Sequence, residues 1–198
     1  METTIDFIRH GEPEGGSYFR GNSIDDPLSE KGWAQMRAAV GDACPWTTIV
    51  SSPLQRCYAF AELFSQQHSL PLRVDERLKE VGFGDWEGST RAQVKAKNMS
   101  QYQAFYSDPV NHCPPGAEPL EEFFARVSQA IEMIVANYSS QHVLVVAHAG
   151  VIRAAIAHAL EASPTAAYRV QVVNAGLTRF RHDETGYYFD FLNRASVW

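Results

Sequence analysis

The chain has 198 residues, of which 45% are hydrophobic and 20% charged, and its formal net charge is −6. This length predicts a single domain over residues 1–198, with a core large enough to fold without disulfides or a structural metal. The composition excludes a disordered chain, and the acidic balance argues against nucleic acid and anionic membranes as partners. Three widely spaced cysteines and an N-terminus without a signal-peptide pattern predict a cytoplasmic protein.

In the first half of the chain, strand-like and helix-like patterns alternate. Strands are predicted at Thr3–Arg9 and Thr47–Ser51, and helices at Ser29–Val40 and from Pro53 to about His68. Ser29 precedes the first helix as an N-cap, and Pro53 suits the first position of the second helix. The stretch 11–27 is rich in Gly, Pro and Asp, and a loop of that length inside a domain usually serves a function.

The second half repeats this alternation and ends in a hairpin. Helices are predicted at 89–98, 100–106, 120–138 and 149–160, and strands at 143–147, 177–182 and 187–192. The apolar run Val143–Ala147 is typical of a strand buried on both faces, and turn residues at 183–186 join the last two strands. The pattern predicts an α/β fold: a three-layer sandwich in which helices flank a mostly parallel central sheet, with a C-terminal antiparallel hairpin.

Charged residues and histidines follow three of the predicted strands where each strand ends. Arg9-His10-Gly11-Glu12 follows the first, Ser51–Arg56 the second, and His148-Ala149-Gly150 the strand Val143–Ala147. The carboxyl ends of parallel strands meet at one edge of a sheet, and ligands bind beyond that edge. We therefore expect two histidines and two arginines to converge there, beside the N-terminus of the helix that begins at Ala149.

This combination suits a phosphoryl group. The planar fork of arginine matches phosphate oxygens, a helix N-terminus adds N–H donors, and histidine serves as nucleophile or acid near neutral pH. No metal or other cofactor is required. Each residue alone has an ordinary interpretation: such a histidine is usually a structural hydrogen-bonder, such an arginine a solvated charge, and Gly11 or Gly150 a turn residue. Their joint placement is what points to a site.

Six segments, in order along the chain, resemble motifs of the histidine phosphatase superfamily, which includes the phosphoglycerate mutases. They are Arg9-His10-Gly11-Glu12, Asp26–Gln35, Ser51–Arg56, Leu78–Glu80 with Phe83–Gly88, Pro115–Glu118 and Val146–Gly150. The triplet Arg-His-Gly alone is a weak signal, whereas six segments in the right order are specific. The resemblance covers residues 3–150 and implies the fold of that family and a small phosphorylated metabolite as the binding partner.

The resemblance also implies roles for five residues. His10 would form a phosphohistidine as the nucleophile, and Arg9, Arg56 and His148 would clamp the phosphoryl oxygens. Glu80 would protonate the leaving oxygen and then deprotonate the hydrolytic water. One carboxyl group serves both steps by microscopic reversibility, so it must carry a proton when the substrate binds. Without the resemblance, Glu80 stands in a charged run and has the pattern of an ordinary surface carboxylate.

Three positions depart from the family pattern. Pro13 and Gly16 stand where Thr and Asn are common, and Ala147 stands where Ser or Thr is common. One side-chain contact to the phosphate is therefore missing at Gly16. The candidates to replace it are the backbone amides of Gly15, Gly16 and Gly21 and the side chain of Arg20. The residues predicted to bind the substrate are Arg20, Gly21, Gly16, Ala149 and Trp86.

Within the family, the shortness of the chain favours a phosphatase over a mutase. Motifs within Gly15–Arg37 and the run Phe83–Gly88 are similar to those of the bacterial α-ribazole phosphatases of cobalamin biosynthesis. The dimethylbenzimidazole ring of that substrate needs an apolar wall. Aromatic candidates for this wall are Tyr18, Phe19, Trp86, Tyr102, Phe105 and Tyr106, and core or lid packing is the ordinary alternative for most of them.

Four alternatives stay open. A broad-specificity phosphatase uses the same catalytic residues with a less selective lid, and a mutase interconverts phosphoglycerates. A metal-dependent hydrolase would use His10 and His148 as ligands, although neither HxH nor HExxH spacing is present. A non-enzymatic binding module on the same fold is disfavoured by the intact set of five catalytic-type residues. The sequence does not indicate an oligomeric state.

Overall fold

Six strands form one mixed sheet in the computed structural model, which describes residues 2–42 and 44–197. In chain order the strands are β1 (Thr3–Arg9), β2 (Thr48–Ser51), β3 (Leu72–Val74), β4 (His142–Ala147), β5 (Leu177–Asp183) and β6 (Gly186–Arg194). They lie side by side in the order β3-β2-β4-β1-β5-β6. The first four strands pair in parallel, whereas β5 is antiparallel to β1 and to β6. The predicted sheet and C-terminal hairpin are confirmed.

Helices cover both faces of this sheet and make the three predicted layers. They are α1 (Glu30–Val40), α2 (Gln55–His68), α3 (Arg91–Lys97), α4 (Met99–Ser107), α5 (Leu120–Asn137), α6 (Ala149–Ala159) and α7 (Pro164–Ala167). Because strand side chains alternate, Val143 of β4 packs with α5 and α6 while its neighbour Leu144 packs with α1 and α2. No helix within the described residues combines the length and hydropathy needed to cross a membrane.

Three elements differ from the prediction. Helix α2 begins at Gln55, with Leu54 as N-cap, rather than at Pro53. The reason is a distant cap, since the carboxylate of Asp25 accepts the N–H of Gln55 at 2.6 Å. Strand β3 and helix α7 are too short for a periodic pattern and were not predicted. The N-cap role of Ser29 is confirmed, because its side chain accepts the backbone N–H of Gly32.

A charge network around buried Asp6 joins the middle of β1 and of β5 to the start of β4. The Asp6 side chain, only 1% exposed, accepts two hydrogen bonds from Arg179 at 2.7 and 2.9 Å. It also accepts hydrogen bonds from the ring nitrogens of Trp46 and His142 at 2.9 and 2.8 Å. Burial alone would raise the pKa of Asp6, but the bonds from Arg179 and His142 outweigh it, and the pKa lies below its ordinary value.

Replacing Asp6 with asparagine is expected to cost about 1–3 kcal/mol of unfolding free energy at pH 7, because it leaves the half-buried Arg179 without its charge partner and disturbs the hydrogen bonds from Trp46 and His142. Urea unfolding measures this, with the exposed pair partner Asp190→Asn as the control of little effect. Because the pKa of Asp6 is lower in the folded than in the unfolded protein, its carboxylate stabilises the fold at pH values above the unfolded-state pKa. The stability difference between the Asp6 variant and wild type therefore shrinks as pH falls below about 4. Equal stability of both proteins at pH 7 contradicts this account.

Candidate active site

The carboxyl ends of β1, β2 and β4 meet at one edge of the sheet. Arg9 at the end of β1 is in register with Ala147 of β4, and Ser51 of β2 with Val146. A cavity of about 670 Å³ opens beyond these ends. Seven of the predicted site residues line it: Arg9, His10, Arg20, Gly21, Arg56, Glu80 and Ala149. His148, Gly16 and Trp86 do not.

His10 is held in the tautomer that a nucleophile needs. Its Nδ1 lies 2.7 Å from the carbonyl oxygen of Gly11, and since a carbonyl only accepts, Nδ1 carries the proton. Nε2 therefore keeps its lone pair. Burial, followed by the charges of Arg9 and Arg56, holds the pKa of His10 well below its ordinary value. The ring is consequently neutral at physiological pH.

Arg9 and Arg56 flank this histidine and are fixed by backbone carbonyls. Arg9 donates from Nη1 to Val172 at 2.6 Å, and Arg56 donates to Ile24 and Gly21, each at 3.0 Å. The Nε atoms of both arginines are buried and find no hydrogen-bond partner in the described part of the chain. Burial lowers the pKa of Arg9 to about 10, so it remains charged at neutral pH. The two cationic guanidinium groups line the cavity and suit an anion there.

Glu80 lies in the same cavity at the N-terminus of α6. The backbone N–H of Gly150 donates to both carboxylate oxygens, at 3.1 and 3.2 Å, and that of Val81 donates to one at 3.1 Å. This helix terminus was expected to donate to the ligand, but its Gly150 amide is engaged by Glu80 instead. Half-buried and lining the cavity, Glu80 is not an ordinary surface carboxylate.

A clamp that was not predicted fixes the backbone around Glu80. Arg126 of α5 donates to the carbonyls of Arg77, Lys79 and Glu80 at 2.6, 2.9 and 3.2 Å. Its guanidinium also makes two bonds to Glu118, at 2.6 and 2.9 Å. Glu118 was visible in the motif Pro115–Glu118, whereas nothing near Arg126 in the sequence marked it.

His148 packs behind His10 and does not line the cavity. It is fully buried, and the centroids of the two rings are 5.2 Å apart. Its Nε2 lies 2.7 Å from the hydroxyl of Ser52 and 3.5 Å from Sγ of Cys57. Burial, then the charges of Arg56 and His10, keeps its pKa well below the ordinary value. In this arrangement the ring of His148 contacts Ser52 and Cys57, and its role at a phosphoryl oxygen stays a prediction.

Trp86 is a core residue rather than part of the cavity wall. It is 4% exposed and packs against Phe19 and Phe105, with ring centroids 5.1 Å apart in each case. Of the six aromatic candidates, Tyr18, Phe19 and Tyr106 line the cavity, whereas Trp86, Tyr102 and Phe105 do not.

The loop around Gly16 is built on Arg20. The carbonyl of Gly16 accepts a hydrogen bond from Arg20 at 2.8 Å, and Nε of Arg20 pairs with Asp26 at 2.8 Å. The same guanidinium lies 3.9 Å from the ring centre of Tyr18. Arg20 and Gly21, two of the candidates to replace the missing asparagine contact, line the cavity.

One wall of the cavity comes from residues 168–174, which the sequence did not mark. Because β5 is antiparallel to β1, it brings this segment back over the end of β1. Ala175 donates its N–H to the carbonyl of Arg9 at 3.0 Å, and the Asn174 side chain donates to that of His10 at 3.3 Å. Arg91 and Arg153 also line the cavity and were not predicted. Arg153 follows Ala149 by one helical turn, which is the one local signal that pointed to it.

The chain is similar in sequence to several known proteins, among them the following three. A bifunctional protein of Mycobacterium tuberculosis is 32% identical over 180 residues, which cover 89% of this chain and 49% of that protein, so the chain spans about half its length. Glucosyl-3-phosphoglycerate phosphatase of the same species is 35% identical over 172 residues, covering 80% of this chain and 75% of that protein. Adenosylcobalamin/α-ribazole phosphatase of Salmonella typhimurium is 27% identical over 195 residues, covering 96% of each.

The structural comparison agrees with these sequence matches. A native structure of mycobacterial glucosyl-3-phosphoglycerate phosphatase superimposes with a TM-score of 0.84 at 28% identity, covering 98% of this chain and 99% of that one. That phosphatase has also been solved with VO3 and with inorganic phosphate. The family model of the histidine phosphatase superfamily, branch 1, matches residues 5–195. With its six motifs in order and its cavity at the strand ends, the chain belongs to the histidine phosphatase superfamily, branch 1.

Proposed function

We propose that the chain hydrolyses phosphomonoesters of small metabolites through a phosphohistidine on His10. One observation carries the proposal: a neutral histidine whose Nε2 keeps its lone pair lines the same cavity as the guanidinium donors of Arg9 and Arg56. Such donors stabilise the equatorial oxygens of a phosphoryl group, where charge is concentrated during transfer. The phosphate and VO3 complexes of the mycobacterial relative support the same type of ligand.

In the first step, Nε2 of His10 attacks phosphorus as the bond from phosphorus to the ester oxygen breaks. Arg9 and Arg56 hold the phosphoryl oxygens, and protonated Glu80 gives its proton to the leaving oxygen. The alcohol leaves, and the phosphoryl group remains on His10. The bond between Nδ1 and Gly11 persists and supports the positive charge that develops on the ring.

In the second step, a water molecule attacks phosphorus from the side that the alcohol has left. Glu80, now a carboxylate, takes a proton from this water, and the bond between phosphorus and Nε2 breaks. Inorganic phosphate and neutral His10 are released, and Glu80 is again protonated for the next substrate. The clamp from Arg126 and the amide of Gly150 keep the carboxylate in place through both steps.

Two substrates are candidates within this chemistry. The motif resemblance favours α-ribazole 5′-phosphate, as in cobalamin biosynthesis, and the Salmonella relative supports it. The mycobacterial relative, at 35% identity, supports glucosyl-3-phosphoglycerate. A broad-specificity phosphatase and a phosphoglycerate mutase remain the alternatives, and we place the reaction in the cytoplasm.

The proposal is tested by trapping the phosphoenzyme. Protein quenched in base during turnover of a phosphomonoester is expected to carry one phosphoryl group on His10, detected by peptide mass spectrometry and lost in acid. Activity should persist in EDTA. Hydrolysis without a phosphoenzyme, or activity abolished by EDTA and restored by a metal, overturns the mechanism. Interconversion of phosphoglycerates stimulated by bisphosphoglycerate would identify a mutase.

Gly150→Ala is expected to lower kcat/KM by about 10²-fold, because a misplacement of a catalytic group by 1 Å costs about that much. A Cβ at Gly150 would lie 2.2 Å from Oε1 of Glu80, so the carboxylate must move. Alanine suits a helix, and thermal unfolding should show a folded protein. Full activity of this variant would mean that the position of Glu80 does not matter.

A further inference from the structure

We infer that the outer part of the cavity binds a second anionic group of the substrate, a carboxylate or another phosphate, through Arg91, Arg153 and Arg169. This inference rests on the proposed function, because it takes the scissile phosphate to lie deeper, at His10. The three residues are called the outer arginines below. Arg91 and Arg169 are exposed and Arg153 is half-buried, whereas Arg56 is buried and Arg9 is held at the end of β1.

The charge lining this cavity exceeds what one phosphate requires. Six arginines line it against one carboxylate, that of Glu80, although the whole chain has a net charge of −6. A phosphate monoester carries about two negative charges at neutral pH. Arg9 and Arg56 meet those charges at the base of the cavity. Of the other four, Arg20 is paired with Asp26, so three guanidinium groups remain for another part of the ligand.

The outer arginines are not used to hold the fold together by ion pairs. Other arginines of the chain are paired, as Arg126 is with Glu118 and Arg179 with Asp6. No ion pair among the described residues includes any of the outer arginines. Their mutual repulsion is unfavourable in the free protein, and an anion relieves it.

One of the three is oriented with its terminal donors free. Nε of Arg153 donates to the carbonyl of Val170 at 2.9 Å, and its guanidinium lies 5.5 Å from the ring centre of Tyr168. Among the described residues, neither terminal nitrogen of Arg153 has a hydrogen-bond partner. Two parallel N–H donors in this fork match a carboxylate or a phosphate in bidentate fashion.

The outer arginines come from three separate parts of the chain. Arg91 is the first residue of α3, Arg153 lies in the second turn of α6, and Arg169 follows α7. A volume of about 670 Å³ has room for an organic group between the two anions. Tyr106 and Tyr168 also line the cavity, and Tyr168 lies next to the guanidinium of Arg153. The geometry thus favours phosphorylated acids or bisphosphates over monophosphates with a neutral remainder, such as α-ribazole 5′-phosphate.

Pairs of ligands that differ in one anionic group test this inference. We would titrate His10→Ala protein by calorimetry with 3-phosphoglycerate against glycerol 3-phosphate, and with 6-phosphogluconate against glucitol 6-phosphate. In each pair a carboxylate replaces a hydroxymethyl group. Fructose 1,6-bisphosphate against fructose 6-phosphate tests a second phosphate. The anionic member of at least one pair should bind about tenfold more tightly or better, as charge-assisted hydrogen bonds imply.

Substitution of the outer arginines locates the effect. The triple variant Arg91→Gln, Arg153→Gln, Arg169→Gln is expected to remove the preference within each pair, whereas Arg37→Gln, an exposed arginine outside the cavity lining, should keep it. Equal affinities within all three pairs, or a preference that survives the triple substitution, overturns the inference. Because binding is measured without turnover, these outcomes are separate from failure of the phosphohistidine mechanism, which would appear as absent phosphoenzyme.

Discussion

His10→Ala is expected to lower kcat on a phosphomonoester by about 10⁴-fold or more, the scale seen when a nucleophile is removed. The physical reason is the loss of the free Nε2, since no second imidazole, amine or thiol side chain lines the described part of the cavity. Cys57 does not replace it, because burial raises the pKa of its thiol and it lies outside the lining. Steady-state rates on 3-phosphoglycerate and p-nitrophenyl phosphate measure the effect.

Chemical rescue separates a nucleophile from a structural histidine. Added imidazole should enter the space left by the His10 side chain, accept the phosphoryl group and restore part of the turnover of p-nitrophenyl phosphate. His112→Ala, which removes an exposed histidine, is the matched control and should keep wild-type rates. A folded His10→Ala protein with full activity contradicts the mechanism. The mechanism is also contradicted if imidazole does not rescue the His10→Ala protein at any concentration and the protein still becomes phosphorylated on another residue.

The base of the site could be predicted because its residues follow strands directly. Arg9 ends β1 and His10 follows it, while Arg56 is the second residue of α2, the helix after β2. Strand assignment and parallel pairing were therefore enough to bring them together. The layers of the fold follow from the same alternation of patterns. Strand order does not determine the direction in which each side chain points. His148 accordingly lies behind His10 and outside the cavity lining.

Contacts between distant parts of the chain account for what sequence patterns missed. Glu80 and Gly150 are 70 residues apart, and the amide of Gly150 meets the carboxylate only because α6 begins beside the segment that Arg126 clamps. Asn174 reaches His10 across 164 residues. Arg169 has no periodic or motif context, so nothing local assigns it to the cavity. Trp86 was misassigned because an aromatic residue in a motif has the same pattern whether it faces a ligand or the core.

The acidic net charge and the cationic cavity are compatible because they act over different distances. At physiological ionic strength, exposed charges are screened beyond about 8 Å, so the outer surface does not cancel the field inside a cleft. Burial of Arg9 and Arg56 reduces the screening of their charges further. An acidic surface therefore disfavours polyanions while the cavity still attracts a small phosphorylated ligand.

Glu80→Gln is expected to lower kcat on alkyl phosphates by about 10²–10⁴-fold, the usual contribution of a general acid and base. Glutamine keeps an oxygen that can accept the N–H of Gly150. The variant therefore removes proton transfer by residue 80 while it keeps the position of the side chain. With p-nitrophenyl phosphate, whose leaving group needs no proton, the first step should stay fast. The second step still lacks its base. Stopped-flow measurements should therefore show a rapid burst of one equivalent of nitrophenol per enzyme, followed by slow turnover.

The burst distinguishes a proton-transfer role for Glu80 from a merely structural one. If the carboxylate only shaped the cavity, both steps would slow together, and nitrophenol would appear without a burst at a uniformly low rate. Glu62→Gln, an exposed substitution on α2, should behave as wild type with either substrate. The Gly150→Ala protein gives the complementary case, because it keeps the proton and loses the position. Because the first step with p-nitrophenyl phosphate needs no proton, Gly150→Ala should also show a burst, and comparison of the two slow phases separates loss of the proton from loss of its position.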